Sequence, residues 1–316
     1  MAVSSDHDRA RILVIKLGAL GDFVHAFHAF AAIRARYPAA HITLLTTAPF
    51  QALAEASPWF DTVRIDGRPA WWDLVGLAET RRALRGFNFV FDLQTSRRSG
   101  RYYRLAGRPP WSGIARGSSH PHTNPRRDDI HTLERQQEQL IEAGIMEFPL
   151  PDRHWMQSRG SRHGLTSPYA LLIPGGGGLG AVKRWPPEAF GVLAQGLSAR
   201  LTVVLIGGPA EIEAARIIIG RCPAAVNLVG QTSIEDIAAL AAGAVLVVGN
   251  DTGPLQLSAT MGPPTLALFS AANVPRQAAP RGPALEWSTV IQVPDLSKLL
   301  PATVLAEAGR LLAEAG

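Results

Sequence analysis

Two periods of hydrophobic spacing alternate along the chain. Runs rich in β-branched and aromatic residues at 12–17, 41–46, 62–65 and 87–93 read as strands. Between them, 23–36 and 72–85 set apolar residues three and four apart, the spacing of amphipathic helices. Strands alternating with helices predict βαβ units and a parallel sheet. A less regular stretch with Pro109-Pro110, Gly117-Ser118-Ser119 and Pro121 precedes a helix at 129–143. Residues 148–168, with three prolines and two glycines, read as an interdomain linker. The alternation restarts at 169–173 and continues through strands at 202–206, 245–248 and 265–269, with helices at 187–199, 210–220, 234–242 and 253–261. A terminal helix is expected at 297–313, free in this reading to pack back on the first domain. The pattern predicts two consecutive doubly wound α/β domains, 1–160 and 161–316, with a cleft between them.

At 316 residues, 47% hydrophobic and 18% charged, the chain can fill two cores. Its first residues are polar, and its longest apolar run, 237–248, is broken by Gly243 and falls short of the ~20 residues that span a bilayer. A lone cysteine, Cys222, excludes a disulfide framework and a thiolate zinc site. A cytoplasmic enzyme is expected. Residues 1–160 hold 21 basic against 16 acidic residues, so the whole net charge of +5 sits in the first half. Nine arginines and one acid, Asp92, fall between Arg85 and Arg127. Such clustering suits a phosphate- or carboxylate-bearing partner, because the guanidinium fork pairs with both.

Three segments carry candidate chemistry. Gly18-Ala19-Leu20-Gly21-Asp22 follows the first strand, at the carboxyl end where open α/β sheets bind ligands. Asp22 reads either as an acid at the mouth of a site or as a helix N-cap, and His25 either as a site residue or as part of a solvated helix face. The second segment runs from Pro174 through Gly175 and Gly176 to Gly180, then Lys183-Arg184-Trp185-Pro186-Pro187. Gly175, Gly177 and Gly180 formally match the dinucleotide fingerprint, but Pro186-Pro187 sets the helix start further on and the next strand lacks the ribose-binding acid. What remains is a glycine loop delivering Lys183 to a helix mouth, the alternative being a surface lysine. The third is Gly249-Asn250-Asp251-Thr252-Gly253-Pro254-Leu255, where a strand gives way to a helix N-terminus, a ready anion site through Thr252, Gly253 and Leu255. Plain N-capping by Asp251 or Thr252 is the competing reading. Asp6-His7-Asp8 superficially resembles a metal motif but precedes the first strand, and the histidines show no ligand spacing.

Taken together these segments resemble glycosyltransferase family nine, the ADP-heptose:lipopolysaccharide heptosyltransferases, from about residue 12 to residue 283. Gly18 to Asp22 with His25 resembles the loop holding the family's proposed catalytic base. Asp92-Leu93-Gln94 with Arg98-Ser99 resembles its acceptor-side segment, and His131 with Arg135 another motif of its first domain. Lys183-Arg184-Trp185-Pro186 resembles the segment whose lysine meets the donor diphosphate. Gly207-Gly208-Pro209 with Glu211 resembles the ribose loop, Asp251-Thr252-Gly253 the donor loop, and Phe269-Ser270 through Arg281-Gly282-Pro283 the closing donor-side segment. The chain departs from the family at Gln256, where histidine is usual, and at His28, where proline is usual.

The resemblance implies a GT-B fold of two facing Rossmann-like domains, acceptor on the first and donor on the second. It implies inverting, metal-independent transfer of a heptose or related sugar from an ADP-sugar to an anionic glycolipid of the lipopolysaccharide core. Asp22 is then the base. Gly175, Gly176, Lys183, Glu211, Asp251, Thr252, Gly253 and Leu255 stand on the donor side, and Gly21, His25, Gln94, Arg98 and Arg101 on the acceptor side. No cofactor is expected, the ADP-sugar being a substrate. A monomer working at the inner face of the inner membrane, with no nucleic-acid partner, completes the expectation. The alternatives are a non-catalytic nucleotide-sugar-binding or assembly protein and a transferase of another nucleotide sugar.

Overall fold

The structure is a computed structural model that describes residues 10–70, 72–157, 163–165, 168–176, 184–272 and 274–315. The chain divides into two compact units, Met1–Asp152 and Arg153–Gly316. The division falls ahead of the 160/161 boundary that composition suggests, because the short helix at 154–157 packs on a helix of the second unit.

In the first unit the elements are β1 (Arg11–Ile15), α1 (Leu20–His25), α2 (Phe27–Arg36), β2 (His41–Thr46), α3 (Gln51–Ala56), β3 (Thr62–Ile65), α4 (Leu74–Ala83), β4 (Phe89–Asp92), α5 (Arg97–Leu105), β5 (Trp111–Gly113), β6 (His120–Pro121) and α6 (Thr132–Glu142). All its strands are parallel, in the order β3-β2-β1-β4-β5-β6. The predicted helix at 23–36 is two helices. Ala26 N–H turns to the Phe23 carbonyl three residues back, which tightens the chain between α1 and α2. The basic segment 97–105 is a helix, opened by a reciprocal Ser96–Ser99 capping box.

The second unit contains α7 (His154–Gln157), β7 (Tyr169–Ile173), α8 (Pro187–Leu197), β8 (Thr202–Leu205), α9 (Ile212–Arg221), β9 (Val226–Asn227), α10 (Ile234–Ala242), β10 (Leu246–Asn250), α11 (Gly253–Thr260), β11 (Thr265–Ser270), α12 (Pro275–Ala278), β12 (Thr289–Val293) and α13 (Pro301–Ala315). Its parallel order, β12-β11-β10-β7-β8-β9, repeats that of the first sheet. The terminal helix α13 packs on α8 and buries Val304 and Ala308 in the core of this unit.

The central strands are buried along nearly their whole length, as a parallel sheet covered on both faces requires. In each unit the strand order reverses beside the first strand, between β1 and β4 and between β7 and β10. A doubly wound sheet opens its ligand crevice there, at the carboxyl ends of the strands.

Candidate active site

In the first unit the crevice begins where β1 ends. Lys16 follows four buried residues of β1 and is itself only 4% exposed, its ammonium donating to the Leu93 carbonyl at 3.2 Å. Burial pushes its pKa down to about 8, while the carboxylates of Asp22 and Asp92 pull it up and Arg135 adds to the depression. Lys16 is a site residue that sequence reasoning missed. A lysine directly after four apolar strand residues is the signal that marks it.

The loop after Lys16 is held from several sides. Leu17 N–H donates to Gln94 Oε1 at 2.8 Å, and the Leu17 carbonyl accepts from Arg68 at 2.8 Å and from the Thr47 hydroxyl at 3.2 Å. Gly18 has φ +117°, and a Cβ there would sit 2.7 Å from the Phe50 ring, which itself stacks on Phe23. Only glycine meets both conditions. Asp22 then falls in the first turn of α1, exposed, behind an Ala19 N-cap that makes no side-chain cap bond. Its carboxylate caps nothing and has no hydrogen-bond partner among the described residues, so the N-cap alternative does not hold.

Gly21 is half-buried one residue earlier. His25 is buried rather than on a solvated face, its ring 5.1 Å from that of His131. His131 is fully buried and caps α6 by accepting from Leu133 N–H at 3.2 Å. Arg135, on the same helix, pairs with Asp128 at 3.2 Å. His28 is buried and stacks on Phe148. Asp92 closes β4, fully buried, and accepts from the amides of Gln94 and Thr95 at 3.1 and 3.0 Å. Burial raises it to about 6, against those amides, Ser99 and Lys16.

Helix α5 divides the arginine cluster between its faces. Arg97 and Arg104, with Arg108 and Arg116, line a cavity of about 680 Å³ that has no carboxylate in its wall. Arg98 turns elsewhere, 3.5 Å from the Tyr102 hydroxyl, which donates to the buried Asp66 at 2.7 Å. Arg101 is exposed and outside that wall. Arg98 and Arg101, the acceptor-side expectation, thus lie outside the cavity, whose wall holds Arg97, Arg104, Arg108 and Arg116. The i, i+7 spacing of Arg97 and Arg104 is the sequence signal for them.

In the second unit Asn250, the last residue of β10, is fully buried and organises the crevice. Its amide donates to the carbonyls of Pro174 and Gly175, both at 3.0 Å, and its oxygen accepts from Trp185 N–H at 3.0 Å. Gly175 and Gly176 are crowded: a Cβ would lie 3.3 Å from the Glu211 carboxyl carbon at Gly175, and would collide with the Arg184 side chain at Gly176. Glu211 accepts from Gly208 N–H at 2.9 Å and, with Pro174, Arg184 and Trp185, lines a cavity of about 430 Å³. Lys183 lies outside the described residues.

At the mouth of α11, Thr252 holds the N-cap position but makes no side-chain cap bond, and its buried hydroxyl has no partner among the described residues. Capping by the Thr252 side chain is thus absent, and a helix N-terminus is a natural anion site. Gly253 opens the helix and Leu255 is fully buried in its first turn. Asp251 is held by Gln256, whose amide donates to Asp251 Oδ1 at 3.1 Å and to the Ala278 carbonyl at 2.6 Å. Among the described residues no group of three His, Cys, Asp or Glu side chains is arranged to hold a metal ion.

Known proteins share this architecture. Lipopolysaccharide heptosyltransferase 1 of Pseudomonas aeruginosa is 26% identical over 294 residues, covering 83% of this chain and 79% of the relative. The crystal structure of a family 9 glycosyltransferase from Veillonella parvula matches with a TM-score of 0.81 at 21% identity, over 96% of this chain and 97% of that one. The E. coli heptosyltransferase WaaC with ADP matches with a TM-score of 0.77 at 21% identity, over 97% and 100%. Residues 78–297 match the family model for glycosyltransferase family 9 (heptosyltransferase). With most of its length matched by that model and two parallel sheets shared with its members, the chain belongs to glycosyltransferase family 9 and is a glycosyltransferase of GT-B fold.

Proposed function

We propose that the protein transfers a heptose or a related sugar from an ADP-linked donor to an anionic glycolipid of the lipopolysaccharide core, with inversion and without a metal. The observation that carries this reading is the state of Asp22, an exposed carboxylate that caps nothing, has no hydrogen-bond partner among the described residues and stands within electrostatic reach of a buried lysine. A carboxylate held in this way is free to take a proton. It accepts one from an acceptor hydroxyl as that oxygen attacks the anomeric carbon and the bond to ADP breaks, help worth roughly 10²–10⁴-fold. The attack comes opposite the leaving group, so the anomeric configuration inverts.

The donor belongs to the second unit. Thr252, Gly253 and Leu255 at the mouth of α11, with Lys183, meet the charge that develops on the departing diphosphate. Glu211 binds the ribose beside Gly175 and Gly176, and Asp251, fixed by Gln256, orients sugar hydroxyls. The name of the Pseudomonas relative and the ADP in the E. coli structure support this choice of donor. On the first unit, Gly21, His25 and Gln94 shape the acceptor side around Asp22. Arg98, Arg101 and the four cavity arginines meet the acceptor's carboxylates or phosphates. The protein acts as a monomer at the inner membrane surface; among the described residues no helix is long and apolar enough to cross a membrane.

Incubation with a panel of nucleotide sugars and a delipidated inner-core oligosaccharide, read by mass spectrometry, tests the proposal. Gain of one heptosyl unit from ADP-heptose is expected. Binding of ADP-heptose without any product would assign the protein to the non-catalytic alternative, and transfer from a different nucleotide sugar would overturn the donor.

A further inference from the structure

Helix α4 begins with an apolar tip that the first unit leaves in solvent. Trp72, Leu74 and Val75 are 68%, 77% and 71% exposed, among the most exposed large apolar side chains of the described residues. The tip is well formed. Asp73 caps the helix, its carboxylate accepting from Gly76 N–H at 2.9 Å. At 100° per residue, Leu74, Val75, Ala78, Arg81 and Arg82 share one stripe, and Arg85 continues its line just past the helix end. All six are exposed. The other side of the helix is committed inward: Thr80 and Leu84 are buried, and Gly76, Thr80 and Ala83 line a cavity with Arg64 and Asp66. One face of α4 thus anchors it, and the opposite face carries an apolar turn followed by three arginines.

We infer that this face, Trp72 to Arg85, docks the protein on an anionic phospholipid bilayer, with the apolar turn entering the headgroup boundary and the arginines resting on the lipid phosphates. Tryptophan with aliphatic neighbours is the composition that settles at a membrane interface. Charge complementarity selects lipid as the occupant. Of the two acids in the segment, Asp73 is engaged as the cap and Glu79 stands beside the stripe at the rim of the cavity under the helix. That leaves the three arginines in excess, and all the chain's net positive charge lies in residues 1–160. Each arginine near an anionic leaflet adds about fivefold to binding. The inference rests on the proposal that the acceptor is membrane-held, since docking then brings the first unit to it.

Sedimentation with vesicles of equal parts phosphatidylglycerol and phosphatidylethanolamine, against vesicles of phosphatidylcholine alone, tests it. The wild-type protein is expected to bind the anionic vesicles. Trp72→Ser with Leu74→Ser and Val75→Ser should lose on the order of tenfold or more of that binding, and Leu74→Ser alone should lose part of it if the triple variant does not fold. Arg81→Gln with Arg82→Gln should weaken binding at low salt and matter little at high salt. Wild-type affinity in the serine variants, or equal binding to both vesicle types, would overturn the inference. So would a wild-type dimer that the serine changes make monomeric, which would give the face to a second copy of the chain. The vesicles contain neither nucleotide sugar nor acceptor. Failure to bind them leaves sugar transfer to a delipidated acceptor untouched, and failure of transfer leaves vesicle binding untouched.

Discussion

Gln94 Oε1 accepts the Leu17 amide at 2.8 Å, tying the end of β4 to the loop that carries Asp22. The sequence motif resembles one that places Gln94 on the acceptor side; in the structure its side-chain oxygen holds the loop after β1. Gln94→Leu leaves a part-buried N–H unpaired, at a cost of about 1–3 kcal/mol. The expected result is a modest fall in melting temperature with a larger fall in kcat, ADP affinity being unchanged because the proposed donor groups lie in the other unit. A variant with lowered stability and normal kcat would reduce Gln94 to a structural tie.

Asp92 makes stability depend on pH in a defined window. Burial raises its pKa from 3.8 to about 6, so the folded state holds the proton more tightly than the unfolded chain. Its stabilising contribution is present below about 3.8 and lost as pH rises through about 6. Lys16, pushed down to about 8, stays protonated in both states across that window. Asp92→Asn should remove the decline, gaining roughly 2–3 kcal/mol on wild type between pH 4 and pH 7. Parallel melting curves for the two proteins over that range would contradict the assignment.

The buried Thr252 hydroxyl has no partner among the described residues and does not cap the helix, and the proposed function gives it to the donor diphosphate. Thr252→Val should leave the melting temperature equal or slightly higher, because a buried unsatisfied group disappears. ADP affinity should fall about tenfold or more, the worth of a hydrogen bond to a charged group. Calorimetry showing unchanged ADP affinity would return Thr252 to a packing role.

The four-arginine cavity should serve the acceptor. Arg104→Ala is expected to raise the acceptor KM about tenfold and leave the donor KM alone, and added salt should act in the same direction, since exposed charge pairs are screened beyond ~8–10 Å. Arg98→Ala should have the smaller effect, because Arg98 faces Tyr102 and Asp66 and not the cavity. Equal changes in both KM values would contradict this division.

What was legible in the sequence follows from burial. The central strands β1, β2, β7, β10 and β11 are predominantly apolar because both faces of a parallel sheet are covered, and that pattern needs no tertiary information. The short strands β5, β6 and β9, toward the ends of their sheets, have two or three residues, too few to show a period. Helix α5 was hidden because Arg97-Arg98-Ser99-Gly100-Arg101 reads as charge before it reads as helix, and its capping box is Ser–Ser rather than the usual pairing with Glu or Gln. Asp22 and Thr252 are legible as candidates because they stand in loops after strands, and Glu211 through the motif that resembles the family's ribose loop. The pairings of Lys16, Gln94 and Asn250 join segments 65 to 77 residues apart, and no local pattern encodes those partners.

The most direct test is heptosyl transfer by wild type and Asp22→Asn, measured in excess EDTA beside ADP affinity and melting temperature. Wild type should form product without a divalent ion. Asp22→Asn should keep its fold and its ADP affinity, since the carboxylate has no partner to lose among the described residues, while turnover falls at least ~10²-fold. Wild-type turnover in the Asn variant, or a strict requirement of the wild type for Mg²⁺ or Mn²⁺, would contradict the account.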